Sequence, residues 1–237
     1  MEEKAEGIVI SSVSYGENDK ILNIFTLDKG VISAKIKGVK KANAKLKFAQ
    51  EPFCFAEFVF TKKGEYRTVI GASLIDTFYP VRENVEDLYS ASVVLEYVKK
   101  FLKENIVSPE LFMLCITTLK NIAYEKRGLT ALTEFLVNAL SLSGYALNIT
   151  NECACEKKLN DIVYFNYRTG SFVCESCKDD FCRQINFITF STLNSIVKGQ
   201  EVSREGVVKA LRLIDYYIAN KADETINSLK ELIKLSV

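Results

Sequence analysis

The sequence predicts a multi-domain α+β protein, with a five-stranded β-barrel at residues 1–79 and an all-α helical domain at residues 80–237. Three observations predict this division. The N-terminal third contains five short segments rich in β-branched and aromatic residues, separated by turn residues. Beyond Pro80, apolar residues recur at three- and four-residue steps, as in amphipathic helices. Four of the seven cysteines lie within residues 153–177, which indicates a metal-binding insertion at about 150–182 of the helical domain.

The five predicted strands alternate with turn sequences. They span residues 5–13, 20–27, 31–37, 53–60 and 66–76. In the third strand, alternate side chains are expected on opposite faces, with Ile32, Ala34 and Ile36 on one face and Ser33, Lys35 and Lys37 on the other. Five short strands in this length fit the Greek-key barrel of the oligonucleotide-binding (OB) fold. An SH3-like barrel is the alternative, because it also uses five short strands.

A run of lysines covers the end of the third predicted strand and the loop after it. The stretch KIKGVKKANAKLK, residues 35–47, holds six lysines and no acidic residue, although the whole chain carries 31 basic and 30 acidic residues. A solvated surface is the simplest interpretation of such a run. The outward faces and loops of an OB barrel, however, are where nucleic-acid strands bind, and lysine suits phosphate groups. We therefore predict DNA contacts at Lys35, Lys37, Lys40, Lys41, Lys45, Lys47 and Arg67.

Amphipathic stripes predict the helices of the second domain. Their predicted spans are residues 84–103, 108–125, 130–143 and 203–220, followed by a last helix that Asp223 caps. Asn84 and the Ser108-Pro109 pair are typical of helix starts, and Gly144 is typical of a helix end. We expect these stripes to form the hydrophobic core and not a ligand site.

The cysteines form two pairs on either side of a predicted hairpin. Cys153 and Cys155 precede the hairpin, and Cys174 and Cys177 follow it, so four thiolates can reach one tetrahedral zinc ion. Such a structural ion would stabilise a module that is too small to build its own core. Cys182 is an alternative ligand, because the first pair is C-x-C and not the usual C-x-x-C. A cluster of reduced cysteines without metal is the other interpretation.

The composition weakens the case for most enzymes. The chain has no histidine, which is the commonest general base and a common zinc ligand, and it has no glycine-rich phosphate-binding motif. A non-enzymatic binding protein is therefore expected, and a thiol oxidoreductase that uses Cys174 and Cys177 is the enzymatic alternative. The sequence lacks a run of 18 apolar residues and the features of a secretory signal, so we expect the reducing cytoplasm.

Several stretches together resemble one protein family. They are YGENDKILNIFT at 15–26, KGVKKANAKLKFAQEPF at 37–53, SGYALN at 143–148 and the cysteine cluster. In this order and spacing they resemble the RecO family of bacterial recombination and repair proteins. The resemblance implies an N-terminal OB domain and a helical C-terminal domain, commonly with a four-cysteine zinc module.

The resemblance also implies a function. Members of this family act in the RecF repair pathway: they bind single- and double-stranded DNA, anneal complementary strands, and help to load RecA onto strands covered by single-stranded DNA-binding protein. RecR and the single-stranded DNA-binding protein are the implied partners. The family's basic DNA contacts match Lys37, Lys40, Lys41, Lys45 and Lys47, whereas Lys35 and Arg67 follow from strand geometry. The alternative is a protein-interaction adaptor that holds partners through the barrel and the zinc module without touching DNA.

Overall fold

The computed structural model describes residues 2–236. Within this range the strands are β1 Glu2–Tyr15, β2 Asp19–Thr26, β3 Gly30–Ile36, β4 Phe55–Lys63, β5 Tyr66–Asp76, β6 Val163–Asn166, β7 Ser171–Val173 and β8 Cys182–Ile185. The α-helices are α1 Val85–Phe101, α2 Pro109–Tyr124, α3 Gly128–Leu142, α4 Phe187–Val197, α5 Arg204–Tyr217 and α6 Asn227–Leu235. Among the described residues, no helix is long and apolar enough to cross a lipid bilayer.

The first five strands close into a barrel in the order β1-β2-β3-β5-β4, with β4 paired back to β1. β3 and β5 run parallel, whereas the other neighbouring strands run antiparallel. A simple meander would instead place β3 beside β4. The Greek-key order therefore confirms the OB-type barrel and decides against the alternative barrel.

The expected alternation along β3 is also confirmed. Ile32, Ala34 and Ile36 are buried inside the barrel, while Ser33 and Lys37 are exposed. The barrel interior is thus filled by one face of each strand, and the outward face of β3 remains available to solvent.

The outer wall of the barrel is partly covered by the helices. The rings of Phe25 on β2 and Phe55 on β4 lie 5.2 and 6.1 Å from the ring of Phe112 on α2. Ile8 on β1 belongs to the same buried apolar cluster as the cores of α1, α2 and α3. Barrel and helices therefore share a continuous core, and burial of apolar surface holds them together.

All five predicted helices are present, and most of their ends follow the expected chemistry, although the Ser108 side chain makes no cap hydrogen bond to α2, which begins at Pro109. The side chain of Asn84 accepts a hydrogen bond from the Glu86 amide at 2.8 Å and so caps α1, and Ser203 caps α5 in the same way. Gly144, with φ of +82°, follows the end of α3. The sequence did not predict α4 or β8.

The predicted cap of the last helix is wrong. Asp223 lies in the left-handed region with φ of +53°, and α6 begins only at Asn227. The cap comes instead from α1, where the Glu96 carboxylate accepts hydrogen bonds from the Asn227 and Ser228 amides, both at 2.9 Å. A carboxylate at a helix N-terminus satisfies free amides and opposes the positive end of the helix dipole.

The cysteine-flanked insertion is a small sheet in the order β7-β6-β8. It is not isolated from the helices. Phe165 on β6 stacks edge-on against Tyr217 of α5 at 5.6 Å, and Phe172 on β7 contacts Phe190 of α4 at 5.1 Å. The module therefore docks on the helical core and relies partly on that core for its stability, beyond what a metal alone would supply.

Gly30 tests the contact between the barrel and the helices. It has φ of +67°, and an added Cβ would lie 2.2 Å from the carbonyl oxygen of Ile106, in the loop between α1 and α2. Gly64 has a similar φ of +63° with nothing within 4 Å, so it is the matched control. We expect Gly64→Ala to lose about 1 kcal/mol of unfolding free energy from backbone strain, and Gly30→Ala to lose about 1–3 kcal/mol more from the clash. Equal losses of unfolding free energy in urea denaturation would mean that the loop at Ile106 moves aside without an energetic cost.

Glu96 makes the stability of α6 depend on pH. Partial burial alone would raise its pKa, but hydrogen bonds from Ser228 and Asn227 lower the pKa below its ordinary value. A carboxyl whose pKa is lower in the folded state stabilises the fold above its ordinary pKa and loses this contribution as the pH falls through the folded-state value. We expect Glu96→Gln to cost about 1 kcal/mol at pH 7 and the difference from wild type to shrink below about pH 4.

Glu110→Gln is the control for this experiment, because Glu110 is an exposed acid in the first turn of α2. Its effect should be smaller, since an exposed charge near a helix end contributes less than one that bonds the amides directly. Unfolding free energies measured from pH 3 to pH 8 give both curves. A wild-type advantage over Glu96→Gln that persists unchanged at pH 3 would contradict the assigned role.

Candidate nucleic-acid interface and metal site

The lysine-rich segment lies on the outside of the barrel between β3 and β4. Val39 and Ala49 are buried in the barrel core, and Leu46 and Phe48 pack partly against it. The lysines just before and between these anchors are exposed to solvent. We call this set the lysine face: Lys37, Lys40, Lys41, Lys45 and Lys47, all of which are exposed.

The start of the segment is held by the turn between β1 and β2. The Asp19 carboxylate accepts the Gly38 amide at 2.8 Å, and the Lys40 amide donates to the Asn18 carbonyl at 3.1 Å. Asp19 also pairs with the Lys35 ammonium at 2.8 Å. The hydrogen bonds from Lys35 and Gly38 lower the pKa of Asp19, so this carboxylate is ionised at neutral pH. The lysine face and the first turn of the barrel therefore form one continuous surface.

The predicted contact residues differ in how their charges are compensated. Across residues 2–236, no carboxylate lies within ion-pair distance of the five lysines of the lysine face. Lys35 is paired with Asp19, and Arg67 lies 3.7 Å from Glu3. The structure thus places Lys35 and Arg67 beside the lysine face, on β3 and β5, but gives both of them acidic partners. The five unpaired ammonium groups carry the positive potential.

One aromatic residue at this surface was not predicted from the sequence. Tyr15, at the end of β1, is half exposed, and the Lys35 ammonium lies 4.4 Å from the centre of its ring. Its position directly before the first turn was visible in the sequence. Its contact with Lys35 was not, because the two residues lie on different strands. Its ring offers a stacking face next to the lysine face.

The four predicted metal ligands come together in space. The sulfur atoms of Cys153, Cys155, Cys174 and Cys177 all lie within 4.8 Å of one another, and those of Cys155 and Cys174 are 3.5 Å apart. A disulfide would need about 2.05 Å. A tetrahedral ion with metal–sulfur bonds of about 2.3 Å sets its sulfur atoms about 3.8 Å apart, a separation that the 3.5 Å distance and the 4.8 Å limit of this cluster accommodate.

The local electrostatics also fit a cation. The Cys174 amide donates to the Cys153 sulfur at 3.4 Å, which stabilises a thiolate there. Burial opposes ionisation of Cys174, but hydrogen bonds from the other three thiols lower its pKa to about 6. The Cys177 thiol donates to its neighbours, which raises its pKa to about 12. One of the four thiols thus ionises readily. A bound metal ion would stabilise the negative charge that forms when the other three thiols also lose their protons.

Cys182 is not part of this group. Its thiol donates to the Asp179 carboxylate at 3.1 Å, and the side chain of Asn166 donates to both oxygens of the same carboxylate. The four named cysteines therefore assemble without a substitute ligand. Cys54 and Cys115 are buried elsewhere, and burial raises the pKa of each thiol to about 12.

Comparison with known proteins finds a family match for both the barrel and the helical part of the chain. Residues 1–78 match the family model described as "Recombination protein O N terminal", and residues 82–230 match "Recombination protein O C terminal". Among curated relatives, the DNA repair protein RecO of Alkaliphilus metalliredigens is 30% identical over 82% of this chain and 80% of its own length. The DNA repair protein RecO of Acetivibrio thermocellus is 27% identical over 95% of this chain and 94% of its own length.

Proposed function

The chain belongs to the RecO family of DNA repair proteins, and we propose that it is a DNA-binding recombination mediator of the RecF pathway. It binds single- and double-stranded DNA, anneals complementary strands, and helps to load RecA onto strands coated by single-stranded DNA-binding protein. RecR and the single-stranded DNA-binding protein are its protein partners. It acts in the cytoplasm, on the DNA of the nucleoid.

The observation that carries the proposal is the lysine face. Its five ammonium groups are exposed and unpaired among residues 2–236, and they lie on an OB-type barrel, a fold that binds nucleic acids through its strand faces and loops. Phosphates that contact these lysines release condensed counterions, which favours binding and makes it depend on salt. Lysine–phosphate contacts carry no base readout, so the binding is independent of sequence.

Annealing follows from the same surface. Two DNA strands repel each other through their phosphates, and a positive surface lowers this repulsion while it raises the local concentration of both strands. Base pairing then supplies the specificity. The process forms and breaks no covalent bond, so the proposed function needs no catalytic group and is non-enzymatic.

The lysine face is tested by replacing all five of its lysines with Gln. We expect weaker binding of single-stranded DNA and a flatter dependence of log K on log salt, by about 0.7 for each phosphate that the protein no longer neutralises. Sequence preference should not change. Fluorescence anisotropy of a labelled oligonucleotide, measured at several salt concentrations, gives both quantities.

The matched control removes the same charge from the helical domain. Lys99, Lys103, Lys120, Lys126 and Lys198 are exposed there, and their replacement by Gln should leave the salt slope close to that of wild type. If both variants show the same reduction in slope, the effect reflects net charge only. If the lysine-face variant binds as wild type does, the barrel does not hold DNA, and an adaptor that binds only proteins becomes the better description.

We further propose that the four cysteines hold one structural zinc ion. The donor set is Cys153, Cys155, Cys174 and Cys177, and a thiolate set of this geometry suits zinc. When bound, the ion cross-links the loop before β6 to the segment after β7. The residues themselves already place the module on α4 and α5 through Phe165 and Phe172.

Replacing Cys177 with Ser should abolish zinc binding, because three thiolates and a hydroxyl make a much weaker site. Cys182→Ser should retain one zinc per chain, because Cys182 lies outside the group. Elemental analysis measures the metal, and hydrogen exchange should show faster exchange at about residues 150–182 in Cys177→Ser, with the barrel unchanged. Wild-type protein that is purified under reducing, zinc-replete conditions and contains no zinc would refute the assignment.

A further inference from the structure

A second cationic and aromatic surface lies where the insertion meets α5, far along the chain from the lysine face. Five side chains form a continuous row, which we call the arginine–aromatic row: Arg168, Phe181, Tyr167, Tyr216 and Arg183. The Arg168 guanidinium lies 4.9 Å from the centre of the Phe181 ring, and the Arg183 guanidinium lies 4.5 Å from that of Tyr216. The Tyr167 ring joins the two ends, 5.9 Å from Phe181 and 5.9 Å from Tyr216.

The fold holds this row in place from three directions. Tyr167 follows β6, and its amide donates to the Phe181 carbonyl at 3.2 Å. The Arg168 amide donates to the side chain of Asn166, while its carbonyl accepts from the Lys221 ammonium at 2.6 Å. Arg183 lies on β8 and Tyr216 on α5. The backbone under each member is therefore ordered by contacts that do not use the side chains of the row.

The two arginines have uncompensated charges. Both are exposed, and among residues 2–236 neither lies in an ion pair, whereas Arg127 and Arg204 pair with Glu134 and Glu86. Arg212 lines the same groove as Arg183 and Tyr216 and is also exposed.

The acids near the row are mostly committed to other contacts. The Asp179 carboxylate accepts hydrogen bonds from Asn166 and Cys182, and burial raises the pKa of Asp215. The hydrogen bond from Cys182 lowers the pKa of Asp179, so this carboxylate keeps its negative charge, and Asp180 is a second, exposed acid. Among residues 2–236 none of these acids lies within ion-pair distance of Arg168 or Arg183, so both guanidinium groups remain available to a phosphate.

We propose that the arginine–aromatic row binds single-stranded nucleic acid, as a second strand-binding surface on the same chain. The inference rests on the proposed function and extends it. A guanidinium that stacks on a ring keeps its outer plane free for a base and its N–H edge free for a phosphate, and aromatic rings offer the same stacking to every base. An acidic peptide would use the charges but not the stacking planes, so nucleic acid is the occupant that uses the whole row.

A second surface changes how annealing works. A chain with one strand on the lysine face and a second on the row would hold two strands at once, so pairing would not require two protein molecules. We therefore expect one chain to bridge two oligonucleotides.

The test uses the full-length chain, with Arg168→Gln and Arg183→Gln combined, in both the wild-type and the lysine-face background. In the lysine-face variant, residual binding of oligothymidylate should fall about tenfold, and the salt slope should fall by about 0.7 for each phosphate released from the row. Lys120→Gln with Lys198→Gln removes two exposed charges of the same domain and should have little effect. Thermal unfolding confirms that each variant is folded.

Replacement of both arginines by Lys separates stacking from charge. Lysine keeps the positive charge but has no plane on which a base can stack. We expect this variant to keep its salt slope and still bind several-fold more weakly. The chain has 11 tyrosines and no tryptophan, so tyrosine emission can be followed without interference from tryptophan, and comparison with Tyr216→Phe isolates the contribution of Tyr216. Oligothymidylate should quench this emission, and Tyr216→Phe should reduce the quenching.

The outcomes distinguish the two surfaces. If the Gln double variant matches its control in both backgrounds, the row does not bind DNA, and the assignment of the lysine face is unaffected. If the lysine-face variant binds as wild type does and the row variant loses binding, the row is correct and the barrel assignment is wrong. Lys variants that bind as tightly as wild type, or a row that binds only an acidic peptide, would also overturn the proposal.

Discussion

The five exposed ammonium groups of the lysine face repel one another. Like charges so close together push the segment apart and away from the barrel unless other interactions hold it. Val39 and Ala49 are buried in the barrel core and anchor the segment, and the Asp19 carboxylate ties the Gly38 amide to the first turn. Asp19 neutralises Lys35 and leaves the five lysines uncompensated. The barrel thus holds five positive charges close together. Binding of a phosphate backbone would reduce the repulsion between them.

The rest of the fold leaves this surface free. Phe25 and Phe55 turn one side of the barrel into the helices, where Phe112 meets both rings. The lysine-rich part of the next segment lies outside these contacts, since Val39, Leu46 and Ala49 pack into the barrel core, whereas Phe53, nearer β4, joins the core shared with the helices. On the helical side, α4 and α5 support the insertion, so the cysteine cluster and the arginine–aromatic row rest on a rigid base. One shared core therefore presents two separate positive surfaces.

The sequence predicted those features that depend on local spacing. Alternation identified β3 and the outward direction of its lysines, and the distances between cysteines along the chain identified the four that converge. Features made by distant residues were not predictable in this way. Glu96 caps a helix that begins 131 positions later, so Asp223 was the better local candidate for the cap. The α4 segment FITFSTLNSIV has no clear polar face to mark it as a helix. Arg168, Phe181 and Tyr216 meet only because β6, β8 and α5 pack together.

DNA bound to the lysine face should relieve the repulsion among its ammonium groups, and thermal unfolding with and without an oligonucleotide measures this effect. A ligand that binds only the folded state raises the unfolding temperature. At low salt, oligothymidylate should raise the unfolding temperature of the wild-type chain, and added salt should abolish most of this increase. The variant with five Gln residues on the lysine face should start from an equal or higher temperature without DNA and gain clearly less from it. An equal gain in both proteins would show that the lysine face does not bind the oligonucleotide.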